Sequence, residues 1–182
     1  MTDDGGEIGR YCIQQVDSGL EGVMAKRLDW TYQAGHGNFN WIKYKASYSQ
    51  ALSDTLDCVL IGYWRGQGKR AAWGIGALLS AVWDSDEQVY KSIARIGTGY
   101  SDVEWVDIRK RLDAISVVEC PQTVQSDGVP DVWVEPQIVV EVLADELTRS
   151  SMHVAGRTDN HPGLALRFPR VQNFVREDKD PT

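Results

Sequence analysis

Thr55-Leu-Asp-Cys-Val-Leu-Ile-Gly-Tyr-Trp64, followed by Arg65-Gly-Gln-Gly-Lys-Arg70 and the apolar run Ala72 to Trp83, decides the fold of this chain. The first ten residues are rich in β-branched and aromatic side chains and predict a strand. Arg65 to Arg70 is a glycine-rich basic turn. The glycines interleaved in Ala72 to Trp83 predict a strand that bends, as in a barrel. Working outward, Asp84-Ser-Asp86 makes a turn, Gln88 to Ile96 a third strand, and Gly97-Thr-Gly99 ends it. Ser101-Asp-Val-Glu104 is a capping box. It opens a helix with Val103, Val106, Ile108 and Leu112 expected inward and Arg109, Lys110 and Arg111 largely outward. After a loop from Pro121 to Pro130, Trp133 to Leu143 and Leu164 to Val175 complete the strand pattern.

Five or so strands with one helix between the third and fourth predict a mainly β fold: a Greek-key barrel of the oligonucleotide-binding type. Ahead of it, Ile8 to Val16 reads as a helix stopped by Gly19. Two short strands follow, Glu21-Gly-Val-Met-Ala-Lys26 and Phe39-Asn-Trp-Ile-Lys-Tyr-Lys45, around a loop from Thr31 to Asn38. The Ser/Tyr/Gln-rich segment from Ala46 to Asp54 reads as a linker, dividing the chain into residues 1–50 and 51–182.

Composition narrows the function classes. The 182 residues are 42% hydrophobic and 25% charged, an ordinary globular mix. No run of ~18 uncharged apolar residues is present that could span a bilayer. The acidic start Met1-Thr-Asp-Asp-Gly-Gly-Glu7 is unlike a targeting peptide. Cys12, Cys58 and Cys120 are scattered and odd in number, against a disulfide framework or a zinc knuckle. A net charge of -7 excludes a uniformly basic nucleic-acid binder and leaves room for a local basic face.

Three constellations carry candidate chemistry. Lys43 and Lys45 share a strand face, where two ammonium groups repel unless an anion such as a nucleotide phosphate lies between them. Glu21 could hold Mg²⁺ together with phosphate oxygens. The bland reading is that alternate lysines protect an edge strand from aggregation. Leu164-Ala-Leu-Arg-Phe-Pro-Arg170, then Arg176-Glu-Asp-Lys179, concentrates guanidinium groups suited to bidentate phosphate contact. Its bland reading is a solvated strand paired with Glu177 and Asp178. Lys69 and Arg70, in a segment without the spacing of a P-loop, could touch DNA phosphate. Trp64, Trp73, Trp83 and Trp133 read as core or edge packing, and His153 and His161 lack partners at metal-ligand spacing. The acidic run Asp131 to Glu146 reads as a solvated opposite face.

The motifs also follow one another in a particular order. Glu21-Gly-x-Met-x-Lys26, Trp41-x-Lys-x-Lys45, Asp54-Thr-Leu-Asp57, Gly66-x-Gly-Lys-Arg70, Gly97-Thr-Gly-Tyr-Ser101, Trp133-x-Glu-Pro136 and Arg167-Phe-Pro-Arg170 with Arg176-Glu-Asp-Lys179 span about Tyr11 to Pro181. This succession resembles the C-terminal part of ATP-dependent DNA ligases of the archaeal and eukaryotic replicative type. The resemblance implies the end of a nucleotidyltransferase (adenylation) domain before the linker and an oligonucleotide-binding-fold domain after it. It implies that Glu21 matches the metal-binding motif IV glutamate, and that Lys26, Lys43 and Lys45 match catalytic lysines near the adenylate. Arg167, Arg170, Arg176, Asp178 and Lys179 match motif VI, which orients the β and γ phosphates of ATP. Lys69, Arg70, Arg167 and Arg170 would contact DNA, and Phe168 matches an aromatic wedge in the minor groove at a nick. The implied cofactors are ATP and Mg²⁺. The implied partners are nicked double-stranded DNA and the rest of a ligase chain, with no membrane, a monomeric state, and a nucleoid or nuclear setting for replication, repair and recombination.

Three departures qualify that picture. The family's adenylated lysine lies in a Lys-x-Asp-Gly motif, absent here, and no lysine precedes Lys26. The chain therefore reads as a C-terminal part that cannot form a lysyl-AMP by itself. Gly37 stands where an arginine is usual, and Asn173 occupies a position where arginine is common. The alternative from a different class is a stand-alone oligonucleotide-binding barrel without catalysis.

Overall fold

The computed structural model describes residues 2–31, 39–45 and 55–182, with Lys45 described through its backbone. The Ala46 to Asp54 linker and Gly37 lie outside the described residues. The chain divides into two compact units, Met1–Ser53 and Asp54–Thr182.

In the first unit, helix α1 (Gly5–Asp17) starts where the Asp4 side chain accepts from the Gly6 N–H at 2.8 Å. The chain turns away at Gly19 with φ +91°. Strands β1 (Gly22–Lys26) and β2 (Trp41–Lys45) form an antiparallel hairpin in which Met24 opposes Lys43, Lys26 opposes Trp41, and Gly22 opposes Lys45. Opposed residues share a face, so Met24, Lys26, Trp41 and Lys43 lie together. The other face holds Val23, Ala25, Ile42 and Tyr44, and the Cys12 Sγ of α1 donates to the Tyr44 carbonyl at 3.5 Å. Cys12 is the one buried residue among the described residues of this unit.

The second unit is built on β3 (Leu56–Arg65), β4 (Ile75–Asp84) and β5 (Val89–Ile96), an antiparallel meander. Helix α2 (Asp102–Ala114) follows, then β6 (Ser116–Val117), β7 (Val124–Gln125), β8 (Val132–Val134), β9 (Val139–Leu143), β10 (Glu146–Ser150), β11 (Gly163–Arg167) and β12 (Arg170–Asn173). The main sheet runs β12-β9-β3-β4-β5-β7, with β8 joining β3 to β6; β10 and β11 pair in a separate ribbon. The sheet curls until the Val171 N–H of β12 donates to the Thr98 carbonyl just beyond β5, at 3.1 Å. Gly99 makes this seam possible: with φ +118°, a Cβ there would stand 2.3 Å from the Val171 backbone. The fold is mainly β with two helices among the described residues, as the sequence leads one to expect.

Inside the curl, Leu60, Leu78, Ile96, Val134, Val140 and Val142 pack on Trp105, Ile108 and Leu112 of α2. The capping box forms, with the Ser101 N–H donating to Glu104 at 2.7 Å. The expected inward face needs correction. Val103 and Val106 are exposed, and Trp105 is the inward residue. At about 100° per residue, Trp105, Ile108 and Leu112 make one stripe, and Val103 falls on the opposite side.

Two expected strands are each divided. Trp133 to Leu143 becomes β8 and β9, interrupted around Pro136, yet both halves run antiparallel along β3. Leu164 to Val175 becomes β11 and β12 on either side of Phe168-Pro169, because proline cannot donate to a ladder. The β10 strand, absent from the sequence reading, pairs with β11. A second apolar layer on the outer side of the meander holds Ile61, Leu79 and Ala81 with Trp64, Trp83 and Trp133 against it. This layer, and Trp73 stacked on Trp105, give these tryptophans packing roles.

Candidate functional site

The β1–β2 hairpin sets Lys26 and Lys43 on one exposed face, and the register puts Lys45 two positions further along it. The Lys26 ammonium lies 4.4 Å from the Trp41 ring centroid, a cation–π contact that fixes its direction. Glu21, just before β1, lines a depression of about 260 Å³ with Gly22, Val23, Met24 and Lys43. A carboxylate and an ammonium on one concavity can share an anion and its counter-cation. Among the described residues, no group of three or more His, Cys, Asp or Glu side chains could hold a metal ion. A Mg²⁺ ion at Glu21 would have one protein carboxylate and would need phosphate oxygens and water to complete its shell, which is how Mg²⁺ is commonly held.

In the second unit, Arg167, Arg170, Arg176 and Lys179 lie on or just beyond its last two strands. Arg167 ends β11 opposite Glu146, and its guanidinium reaches Glu146 at 2.8 Å and lies 4.9 Å from the Phe168 ring. Phe168 takes φ +52°. A bulky residue adopts this left-handed conformation at a cost on the order of 1–3 kcal/mol. The surroundings hold it there: Thr98 Oγ1 donates to the Pro169 carbonyl at 3.3 Å, and Arg170 donates to the Phe168 carbonyl at 3.2 Å and to Asp145 at 2.8 Å. The Phe168 side chain is 49% exposed, so an aromatic ring is displayed on a strained, braced turn.

Beyond β12, the Arg176 N–H donates to the Val139 carbonyl at 2.9 Å, and the Tyr100 hydroxyl donates to the Phe174 carbonyl, fixing the backbone. Arg176 forks onto Asp178 through two 2.9 Å hydrogen bonds and also contacts Asp57 at 3.2 Å and Glu141 at 3.9 Å. Lys179 reaches the other Asp57 oxygen at 3.3 Å. The hydrogen bonds from Arg176 pull the Asp178 carboxyl down to about 2 and raise the basicity of the guanidinium further. Asn173, at the position where arginine is common, donates to Glu141.

The acidic run Asp131 to Glu146 is not a solvated opposite face. It contains the core residues Val134, Val140 and Val142, and its Glu141, Asp145 and Glu146 hold Arg176, Arg170 and Arg167. Sequence reading gives these three no role, and places Asp57 only within the motif Asp54-Thr-Leu-Asp57. The available signal is alternation: in Val139-Val-Glu-Val-Leu143 a lone carboxylate interrupts a buried strand. Lys69 is exposed on a 3-10 turn (Gly68–Ala72), whereas the Arg70 guanidinium folds back onto the Gly76 carbonyl. His153 is buried through the docking of Val154 and Ala155 on the Ser92 carbonyl, a structural placement.

The family model for the C-terminal region of ATP-dependent DNA ligases matches residues 71–179. A probable DNA ligase of Dictyoglomus thermophilum is 55% identical over 181 residues, covering 100% of this chain and 31% of that protein. DNA ligase 1 of Methanosarcina acetivorans is 37% identical over 185 residues, covering 100% of this chain and 32% of that protein. The chain thus spans about a third of the length of the curated relatives it matches. Among solved structures, the ligase domain of M. tuberculosis LigD superposes with a TM-score of 0.53 at 26% identity, covering 95% of this chain and 50% of that one. The curled sheet, the braced Arg167-Phe-Pro-Arg170 turn and these matches lead to one conclusion: the chain belongs to the family of ATP-dependent DNA ligase C-terminal regions.

Proposed function

We propose that this chain supplies the phosphate-orienting and DNA-gripping part of an ATP-dependent DNA ligase, one that seals 5′-phosphate/3′-hydroxyl nicks through enzyme-AMP and DNA-adenylate intermediates. In this reading Lys26, Lys43 and Lys45 line the adenylate's phosphate, and Glu21 holds Mg²⁺ with it. Arg176 and Lys179 orient the β and γ phosphates of ATP, with Asp178 presenting Arg176. Phosphoryl transfer depends on positioned positive charge more than on covalent help, and these residues offer that charge. Phe168, flanked by Arg167 and Arg170, acts as a wedge at the nick, with Lys69 adding a phosphate contact.

The observation that supports the reading best is the Phe168 turn. A left-handed backbone between two arginines is a costly arrangement for an aromatic ring that stays half exposed. The rest of a ligase chain is the proposed partner of the first unit, whose apolar side chains are left largely uncovered.

The test is binding of the chain to a nicked and an intact duplex across a salt series. Preference for the nick should disappear in Phe168→Ala with the salt slope unchanged, and Arg167→Gln should lower the slope by about 0.9 per lost phosphate contact. Equal affinity of the wild-type chain for both duplexes would refute the wedge and leave a barrel that grips DNA without reading the nick. The chain contains no Lys-x-Asp-Gly. Incubation with labelled ATP and Mg²⁺ should therefore leave no label on denatured protein.

A further inference from the structure

Arg176 and Lys179 are already occupied, and their partners are distinctive. Asp57, near the start of β3, gives one carboxylate oxygen to each cation, at 3.2 Å and 3.3 Å. Two cations bridged by the two oxygens of one anion is the arrangement a phosphate group would make with the same pair. Glu141 on β9 is committed elsewhere as well: it accepts from the Thr55 hydroxyl and from Asn173, with Arg176 at 3.9 Å. Glu141 is thus a fixed wall, and Asp57 is the partner that an incoming anion can replace. The main chain does not need to move for this. Arg176 is anchored through its N–H to Val139, so the exchange needs only rotation of the guanidinium and ammonium.

We propose that Asp57 is a built-in competitor for polyphosphate, a positioning residue that holds Arg176 and Lys179 in place when no nucleotide phosphate is bound and weakens phosphate uptake by its own charge. The proposal rests on the reading that Arg176 and Lys179 bind nucleotide phosphates, and it adds a residue to that site. Asp57 keeps both cations extended toward one point, so less rotamer freedom is lost when phosphate arrives. Each phosphate bound must displace it, so affinity is lower than the cations alone would give. Such a device favours release as well as capture.

The probe is inorganic tripolyphosphate, titrated calorimetrically into the 182-residue chain. Asp57→Asn should bind about two- to fivefold tighter than wild type, the scale of a partly exposed ion pair. The gain should shrink as salt is raised. Asp57→Glu, which restores the charge, should return toward wild type. Arg176→Gln and Lys179→Gln should each bind more weakly. Should these two lose affinity while Asp57→Asn gains none, the competitor role is overturned and the phosphate reading stands. Should they bind as wild type does, the phosphate reading itself fails, and the proposal with it. A measurement on the wild-type chain covers misfolding of the variant. In carbon and nitrogen NMR, the Asp57 carboxyl and Arg176 Nε signals should move with one tripolyphosphate midpoint. An Arg176 signal that moves while Asp57 stays still would overturn the exchange.

Discussion

The hairpin unit and the barrel unit use the same alphabet to opposite effect. In the first, Tyr11, Ile13, Leu20, Met24, Leu28, Trp30, Phe39 and Ile42 are all at least 41% exposed, and Cys12 alone is buried among its described residues. In the second, Leu60, Ile61, Leu78, Leu79, Ile108 and Leu112 are fully buried. Strand β1 alternates between partly covered and exposed residues, whereas β3, β4 and β5 carry unbroken runs of buried ones. The difference is a second layer: β3, β4 and β5 are covered by α2 on one side and by tryptophans on the other, while β1 and β2 have one helix against one face. Amphipathic pattern makes an element possible, and burial on a partner surface makes it stable.

The largest effect expected from this contrast lies in the barrel core, where Leu60 and Ile108 are fully buried. Leu60→Ala or Ile108→Ala should cost about 2–5 kcal/mol, read as a lowered urea midpoint. A cost below ~1 kcal/mol would mean that the two units are equally loose. Next comes acid. His153 is buried, and desolvation lowers its pKa from the ordinary 6.5, so the folded state favours the neutral ring. Its contribution is complete above pH ~6.5 and is lost as pH falls through the depressed folded value. The urea midpoint should therefore drop between pH 7.5 and pH 5 by less in His153→Gln than in wild type; equal drops would assign the acid sensitivity elsewhere. Asp178, held at about 2, acts lower still: its stabilisation is present above the ordinary carboxyl value of 3.8 and fades toward pH 2. It is solvent-exposed, so Asp178→Asn should alter the acid limb only slightly. The smallest effect belongs to the hairpin, where Met24 is exposed. Met24→Ala should change the stability of the chain by about 0.5 kcal/mol at most, and a larger loss would show that this face is covered in solution.

Much of this is legible in the sequence. The capping box at Ser101, the meander from Thr55 to Ile96 and the place of the helix in the strand order all follow from local chemistry. Pairing across distance is not legible. The inward face of α2 is misjudged because valines at positions 103 and 106 outnumber the single Trp105 that the core selects. The β10 strand, Glu146-Leu-Thr-Arg-Ser150, has little apolar alternation and exists because β11 offers it a ladder. For the site, arginines in a row announce themselves, and so does Asp178 two residues from Arg176, whereas their other carboxylate partners lie 21 to 119 residues away, which no spacing rule connects.

That separation has a consequence for the order of events as the chain folds. The Arg176–Asp57 contact joins residues 119 apart. A link of such length closes late, since the loop entropy must be met before the contact offers any return. On a ribosome, β3 emerges long before its counterpart and waits with an unsatisfied carboxylate near its start. The basic tail can settle only after the meander, the helix and the β10–β11 ribbon are in place. Assembly of this cluster therefore reports a finished barrel, and a chain interrupted before residue 176 would carry the Phe168 turn without the groups that hold its last segment down.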